Sequence, residues 1–527
     1  MKWITVDGIR EAEQTAFAQR NISSYATMCR AGVAVAREVE ALGRLMGIRR
    51  AVVVCGPGNN GGDGLIVARC LKLDGFDVSL CLTRVPSKYT GDAARAWKDV
   101  HALGMSADIL PSDGGWLENA WAMPTVSPRR AIVVDALLGI GARGVPCGAV
   151  ASAIHWINGT AADCPVVSID VPSGLDADTG ASPGESVRAD VTVTFSRPKI
   201  GFSNPAARLW LGNLIVEDVG LPADLLEPFE VMPTDHIELI SRMEVRNYLR
   251  PERRLDSHKR NYGHTLVIGG CDRYPHAPIF SGLAAYRAGC GLVTLDVPES
   301  ARPAAAQWVP EAIFTAGEWQ PQVVSPTAEE SSTEVTFDMR DYDAVVMGPG
   351  AGKLSPSRIA LLHYLVRDNA APRTVLDADA LVALKQLNDR GWQADNTALR
   401  LVLTPHPGEA AQLLGVTTQE VQADRQTAAR MLARHFHAIV VLKGHNTLVA
   451  APNGRLRVCM GGNPGMATAG TGDILAGLIG GLLARGLGTE DAVNLGVYYH
   501  ALAGDKAAFM VGQESLMATD IFKTLRV

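Results

Sequence analysis

The 527-residue chain has no two cysteines at CxxC spacing, no long apolar run and no excess of basic charge. Its nine cysteines are odd in number, and several sit inside apolar runs, such as Cys55 after AVVV. They read as buried, reduced thiols, which excludes a disulfide scaffold and points to a reducing compartment. The longest apolar stretch, ILAGLIGGLLA at 474–484, falls short of the roughly 18 residues a membrane span needs. The opening MKWITVDGIREAEQTAF mixes charges throughout and lacks the apolar core of a secretion signal, so the expectation is a cytoplasmic protein without membrane association. Lys and Arg number 49 against 55 Asp and Glu, which supplies no reason to expect nucleic-acid binding. Internal repeats and low-complexity tracts are also lacking.

Glycine, by contrast, is abundant: 53 of 527 residues, above the usual share of roughly 7%. Such an excess collects in turns and in loops where backbone approaches a ligand. The length argues for more than one hydrophobic core, and hydrophobic residues at 47% with charged residues at 20% are ordinary for a folded protein.

In the first half, short β-branched runs alternate with Ala-rich helical segments. The runs are AVVVC (51–55), VSLCL (78–82), AIVVD (131–135), VVSID (166–170) and VTVTF (191–195), preceded by a long helical stretch within Ala16 to Val39. Apolar runs without strict alternation predict strands covered on both faces, hence a parallel sheet between helices. Prolines in LPADLLEPFEVMPTD and the charge of RPERRLDSHKR then break the pattern. Alternation restarts at TLVIGG (265–270), GLVTLDV (291–297), AVVMGPG (344–350), TVLDADA (374–380), LVLTPH (401–406) and AIVVLKG (438–444). The stretch 316–340 is polar and strand-poor and reads as a surface excursion. The expected architecture is two α/β domains, 1–225 and 256–527, joined by a linker over 226–255.

Two constellations carry chemistry. In the first, strand AVVVC runs into GPGNNGGDG and a helix, so Gly56, Gly58 and Gly61 satisfy GxGxxG in the setting of a dinucleotide fingerprint. Glycines there allow backbone N–H groups to face a phosphate. The second strand should then end in an acidic residue for the ribose; it ends in Thr83-Arg84, and Asp74 and Asp77 come too early. That weakens a plain oxidoreductase reading, and Asn-Gly alone is a common turn signal. In the second, Asp473 lies in AGTGDILAG, small residues before an acid at a helix start, an anion hole with a base beside it. The run GMATAGTG lacks the Lys of a Walker A loop. An isolated GTGD is also an ordinary helix cap.

The first constellation does not stand alone. GPGNNGGDG, VVDALLGIGARG, IDVPSGLDADTG and RPKIGFSNPAARLWLGNLIVEDVGLP occur in order over about 1–225 and resemble the NAD(P)H-hydrate epimerase domain. The resemblance implies a Rossmann-like three-layer fold and interconversion of the R and S hydrates of the reduced nicotinamide cofactor. It further implies that Asn60, Asp135 and Ser173 hold a potassium ion, and that Asn59, Asn60, Gly61, Gly62, Asp63, Asp170 and the loop Gly139, Ile140, Gly141, Ala142, Arg143, Gly144, Val145 hold the substrate. Inverting a hemiaminal carbon needs a positioned acid or base, and Asp170, at a strand end, is the candidate. Cys29 in TMCRAG departs from the family string, where an acidic residue is expected.

In the second half DSHKRNYGHTLVIGG, APIFSGLAAYRAGCGLV, MGPGAG, LDADAL, LTPHPGE, VLKGHNT and GTGDILAG occur in order. Together they resemble the ADP-dependent NAD(P)H-hydrate dehydratase, of ribokinase-like three-layer α/β fold. The resemblance implies that Ala277, Gly352, His406 and Asp473 contact the hydrate. Lys443, Gly444, His445, Asn446, Thr447 and Gly472 would contact ADP, which arrives with magnesium. Phosphorylation turns a poor leaving group, hydroxide, into a good one, and Asp473 would be the base for that step, assisted by N–H groups around Gly470 to Gly472. His406, between two prolines, also reads as a packing histidine. His435, His437 and His445 do not complete a metal set. Arg260 after Lys259, and Tyr274-Pro-His276-Ala277, depart from the family strings.

The leading expectation is a bifunctional repair enzyme with NAD(P)H-hydrate and ADP as small-molecule partners, acting as a homo-oligomer. The alternatives are a ribokinase-like small-molecule kinase with a non-catalytic Rossmann-like accessory domain, and a non-enzymatic scaffold. Retention of Asn60, Asp135, Asp170 and Ser173 argues against the scaffold.

Overall fold

The computed structural model describes residues 1–110, 131–159, 164–233, 236–248, 253–315, 322–324, 334–390 and 399–527. It divides into two compact units, Met1–Met243 and Glu244–Val527. Part of the 226–255 linker reading and most of the 316–340 reading lie outside the described residues. Inside the latter, Gln322–Val324 and Glu334–Thr336 pair as antiparallel strands, so that stretch is not devoid of strand.

The first unit is built on a seven-stranded sheet of described residues. Its order is Asp108–Ile109, Asp77–Leu82, Arg50–Cys55, Ile132–Ala136, Val166–Ile169, Val191–Phe195, Asn213–Glu217, and every pairing is parallel. The central strands are apolar on both faces because helices cover both, and Val52, Val53, Val54, Ile132, Val133 and Val134 are all buried. The order reverses between Arg50–Cys55 and Ile132–Ala136, the switch point at which open α/β sheets bind ligands beyond the strand ends. The expected long helical stretch is in fact two helices, Val6–Gln19 and Ser24–Met46. Asn21 adopts a positive φ of 53° between them, and Ser23 caps the second helix by accepting from Ala26 N. Apolar periodicity continues across this break, which is why it is invisible to a pattern reading.

In the second unit the strands run Leu456–Cys459, Thr447–Ala450, Ile439–Leu442, Leu401–Leu403, Arg373–Leu376, Ala344–Met347, His264–Ile268, Leu292–Asp296, Ile313–Phe314. The middle pairings are parallel. The pairings from Ile439–Leu442 through Leu456–Cys459 are antiparallel, and the sequence reading lacked the last two strands. Helix Thr471–Ala484 is buried along nearly its whole length, as an all-round apolar helix must be. Among the described residues no helix is long and apolar enough to cross a membrane.

Candidate active sites

In the first unit, the turn after Arg50–Cys55 enters helix Asn59–Leu73 with Gly58 as its N-cap. A Cβ at Gly61 would overlap the Gly56 carbonyl, and one at Gly56 would overlap the Leu137 carbonyl. Both positions therefore require glycine, and the turn is pressed against the end of the neighbouring strand.

Asp135, at the end of that strand, is fully buried. It accepts from Ser173 Oγ at 2.6 Å, Ser173 N at 2.9 Å, Ser168 Oγ at 2.8 Å and Leu137 N at 3.2 Å. Burial raises its pKa, and these four donors oppose the rise. Leu138 N donates to Ser173 Oγ at 2.9 Å, and Asn60 Nδ2 donates to Leu138 O at 2.8 Å. Asn60, Asp135 and Ser173 thus meet around the backbone of Leu137 and Leu138, although they come from a helix start, a strand end and a turn. Their oxygens, with nearby carbonyls, are the donor type a hard monovalent cation takes. Among the described residues no group of three His, Cys, Asp or Glu is placed to hold a metal.

Asp170 adopts φ 64°, an uncommon conformation for a residue with a Cβ. Its Oδ1 accepts from Lys199 Nζ at 2.5 Å and from Thr194 Oγ1 at 3.1 Å. Lys199 is 1% exposed and also donates to Thr194 Oγ1 at 2.8 Å and Phe195 O at 3.3 Å. Asp63 carries a pKa pushed far up by burial and by the charges of Asp170 and Glu13. A cleft lies between the 139–144 loop and the turn Val171–Asp176, with Pro183 at its edge. The expected substrate loop therefore forms one wall. Asn59–Asp63 and Asp170 do not line it, but Asn60 touches the loop at Gly139 and Asp170 precedes the opposite wall. Val145, at the loop's end, is exposed.

Three residues escaped the sequence reading. Lys199 stands in the RPKIGF string, yet its role depends on the pairing with Asp170. Arg10 donates Nη2 to Ile140 O at 3.3 Å and props the loop. Glu13 lies one turn further along the same helix, and its pKa is raised to about 7 by burial and Asp170, against Lys199 and Arg10. Cys29 instead lies beside the Arg69 guanidinium at 4.0 Å, within a group that includes Tyr25 and Asp99.

In the second unit, Asp473 occupies the first turn of helix Thr471–Ala484, after Gly470 in a left-handed conformation. Its pKa is raised to about 7 by burial, then by Asp377, with Lys443 opposing and Glu409 and Asp379 adding. Lys443 Nζ donates to Asp377 Oδ1 at 2.7 Å and lies 3.8 Å from Glu409. Burial alone would lower the lysine's pKa; Asp377 and Glu409 reverse the sign and raise it. Gly472 leaves room for this ammonium, since a Cβ there would stand 3.3 Å from Nζ.

The other expected contacts gather around the same centre. Gly352 N donates to Asp379 Oδ2 at 2.7 Å. Ala277 begins the helix whose Ser281 Oγ donates to Asp473 O at 2.8 Å. Residues 443–446 form the turn between two antiparallel strands, and Thr447 opens the second. Arg425 holds that turn by donating to Lys443 O at 3.2 Å, Leu442 O at 3.2 Å and His445 O. Within it Asn446 has φ 53°, and Thr447 Oγ1 donates to Gly444 O at 3.0 Å. His406 is a helix N-cap: its Nδ1 accepts from Gly408 N at 3.0 Å and Glu409 N at 3.2 Å. Its side chain remains 58% exposed, so a packing role does not describe it. Asp377, Asp379 and Glu409 lie inside strings noted in the sequence, LDADAL and LTPHPGE, but the convergence of Asp377 and Glu409 on Lys443 is tertiary. His500 had no signal at all; its Nε2 lies 2.9 Å from Thr471 O, and burial lowers its pKa to about 4, so the ring is neutral.

Two family models match this chain: one for the YjeF-related protein N-terminus over residues 24–201, and one for NAD(P)H-hydrate dehydratase over 265–526. The bifunctional NAD(P)H-hydrate repair enzyme Nnr of Thermofilum pendens is 36% identical, over 100% of this chain and 95% of its own length. Its Escherichia coli counterpart is 34% identical over 99% of this chain and 92% of its own. Among solved structures, the ADP/ATP-dependent NAD(P)H-hydrate dehydratase from Bacillus subtilis, co-crystallized with ATP/Mg2+, is 29% identical. It covers 55% of this chain and 96% of its own, with a TM-score of 0.45. Relatives aligned along the full length, carrying both halves together, decide against a lone kinase with an accessory domain. The chain belongs to the bifunctional NAD(P)H-hydrate repair enzymes.

Proposed function

We propose that the first unit epimerises R- and S-NAD(P)H-hydrate at Asp170, and that the second dehydrates the S form at Asp473, using ADP and releasing AMP and phosphate. The division of labour would follow 1–225 and 256–527. The observation that carries this reading is the electrostatic contrast at the two aspartates. Asp170 is held by a buried lysine, whereas Asp473 has its pKa raised to about 7 by burial first and then by Asp377, Glu409 and Asp379, with Lys443 opposing. A base operates best when its pKa lies near the working pH.

In the second unit, Asp473 would take the hydroxyl proton of the hydrate as that oxygen receives a phosphoryl group. Lys443 would face the nucleotide phosphates, together with the 444–447 turn and the N–H groups before Thr471. The magnesium bound to ADP would neutralise phosphate charge, and Asp377, Asp379 and Glu409, the carboxylates whose charges act on Asp473, would be its candidate oxygen donors. The ring nitrogen's electron pair would then expel phosphate, and loss of a proton from the neighbouring ring carbon to water would complete the double bond of the dihydronicotinamide. Ala277, Gly352 and the exposed edge of His406 would contact the hydrate.

In the first unit, Asn60, Asp135 and Ser173 would hold a potassium ion that anchors the 138–139 peptide against the glycine turn. Asn59–Asp63 and Gly139–Val145 would seat the substrate. The enzyme would act in the cytoplasm as a homo-oligomer, with no nucleic acid or membrane partner.

The test follows absorbance at the dihydronicotinamide band with an R/S mixture of NADH-hydrate and ADP. Full recovery from both epimers supports both assignments. Recovery of only the S share removes the epimerase reading, and recovery with ATP but not ADP reverses the donor.

A further inference from the structure

The turn between strands Ile439–Leu442 and Thr447–Ala450 is the part of the second unit assigned above to the nucleotide. It is not a relaxed hairpin. Gly444 has φ 128° and Asn446 has φ 53°, the latter uncommon for a residue with a Cβ. Further support for this shape comes from outside the turn, from helix Arg425–His435, which packs against both strands. Ala428, Ala429, Leu432 and Ala433 bury the inner face of that helix, and Asp424 caps it by accepting from Thr427 N at 3.0 Å.

Arg425, the first residue of the helix, is thereby fixed beside the turn. Its guanidinium spreads over three carbonyls: Nη2 donates to Leu442 O and Lys443 O, each at 3.2 Å, and Nη1 donates to His445 O. Gly444 lies against it, since a Cβ there would stand 3.2 Å from Nη2. A planar fork can bridge carbonyls on two sides of a bend, which the single ammonium nitrogen of a lysine cannot reproduce.

Charge supplies a second, independent observation. Lys443 is matched by Asp377 and Glu409. Arg425 forms no ion pair among the described residues; its partners are neutral carbonyls. Burial lowers its pKa, and no carboxylate opposes that fall. Arg425 Nε and Asn446 Oδ1 are both buried without a protein partner. Buried polar groups ordinarily find partners, so this turn holds a cation and polar atoms that the described chain does not satisfy.

We propose that Arg425 is a positioning residue for the nucleotide: it holds the 443–447 turn in its ADP-binding shape and supplies positive charge that the diphosphate balances. The inference rests on the reading of that turn given above. Arg425 acts through the backbone of Leu442, Lys443 and His445 rather than on the reacting atoms. Without it, Gly444 and Asn446 relax towards commoner backbone conformations and must be ordered again each time ADP binds. A turn held in advance has already lost that freedom, which is how preorganisation raises affinity.

The experiment measures ADP binding by titration calorimetry on the full-length protein with magnesium, alongside the kinetics of pure S-hydrate dehydration. It compares the parent with Arg425→Met, Arg425→Lys and Lys443→Met. Arg425→Met is expected to raise Kd and KM for ADP about tenfold, the scale of fixing one residue's backbone. Its kcat at saturating ADP and its KM for S-hydrate should stay within about threefold of the parent, the pattern of lost binding rather than lost chemistry. Arg425→Lys keeps the charge and loses the fork. Its Kd should lie between the other two, and its salt dependence should follow the parent, whereas that of Arg425→Met should be weaker.

If Lys443→Met weakens ADP while Arg425→Met binds it as the parent does, the positioning role is overturned and the nucleotide reading of the turn stands. If both variants bind ADP as the parent does, the reading of the turn fails as well. An Arg425→Met protein that loses kcat and both affinities in parallel with its unfolding midpoint would mark a structural role and overturn the proposal. Should Arg425→Met not fold, Arg425→Lys carries the test, and an ADP Kd equal to the parent's overturns the proposal.

Discussion

Ser281 Oγ donates to the backbone carbonyl of Asp473 at 2.8 Å, across 192 positions of sequence. The bond joins helix Ala277–Arg287 to helix Thr471–Ala484 at the turn that carries the base. Close approach of the two helices depends on Gly477, where a Cβ would overlap the Ser281 carbonyl and Cα. Backbone, rather than a mobile side-chain tip, meets the intruding atom, so the helices must separate. Gly477→Ala is expected to destabilise the protein by about 1–3 kcal/mol, the range for overpacking, and to displace Asp473 enough to lower dehydration. Ser281→Ala removes one hydrogen bond and should cost about 0.5–1.5 kcal/mol. Thermal unfolding of both variants checks this; a Gly477→Ala protein as stable as the parent would contradict the helix contact.

Asp473→Asn should lose dehydration by about 10²–10⁴-fold, the range for removal of a general base, with ADP binding by calorimetry kept within a few-fold. The same substitution has a stability signature. A carboxyl whose folded pKa is raised from 3.8 to about 7 binds its proton more tightly folded than unfolded. The native state is therefore penalised progressively as pH rises from the unfolded value to the folded one, and fully above it. Asparagine carries no such penalty. The variant should gain in melting temperature over the parent at pH 8 and gain little at pH 4. Equal midpoint shifts at both values would show that folding does not raise the pKa of Asp473.

The pH dependence of dehydration follows from the same cause with the opposite consequence for rate. The base acts when ionised, so kcat with saturating S-hydrate and ADP should fall about tenfold per unit below the Asp473 pKa and level off above it. Lys443 is the opposing charge, and Lys443→Met should move the inflection to higher pH besides weakening the nucleotide. A flat profile from pH 5 to 8 would exclude Asp473 as the group whose ionisation limits the rate.

Much of this was legible in the sequence because burial on two faces leaves runs such as AVVVC and AIVVD almost wholly apolar, and these runs end within a residue of the strand ends. GPGNNGG and AGTGD announced their turns because glycine is the residue that permits backbone to touch backbone. What the sequence hid was contact at a distance. Asp377 and Lys443 stand 66 positions apart, and Asp170 and Lys199 stand 29 apart; no periodicity links either pair. Most of helix Val6–Gln19 lies ahead of the stretch read as helical, because its charges are interspersed among few strongly apolar residues. His406 offered a ring between two prolines, and only the fold reveals that its Nδ1 closes a helix end. The two antiparallel strands from Thr447 to Cys459 were missed; in the second of them Arg457 interrupts the apolar run.

The two substitutions at Asp170 separate chemistry from stability. Both Asp170→Ala and Asp170→Asn remove the base, so both should abolish most epimerisation while dehydration of pure S-hydrate proceeds at the parent rate. They differ at Lys199. Asparagine still offers an oxygen to the buried ammonium, whereas alanine leaves a charge that is 1% exposed with only Thr194 and Phe195 O as acceptors. Stranding one member of a buried ion pair costs about 3–5 kcal/mol, so Asp170→Ala should show a clearly lower unfolding midpoint and Asp170→Asn a smaller change. Parallel melting curves and a two-substrate assay decide the matter. Loss of both activities in Asp170→Asn would mean that the two units do not function separately, and equal midpoints for the two variants would remove Lys199 as a partner that depends on Asp170.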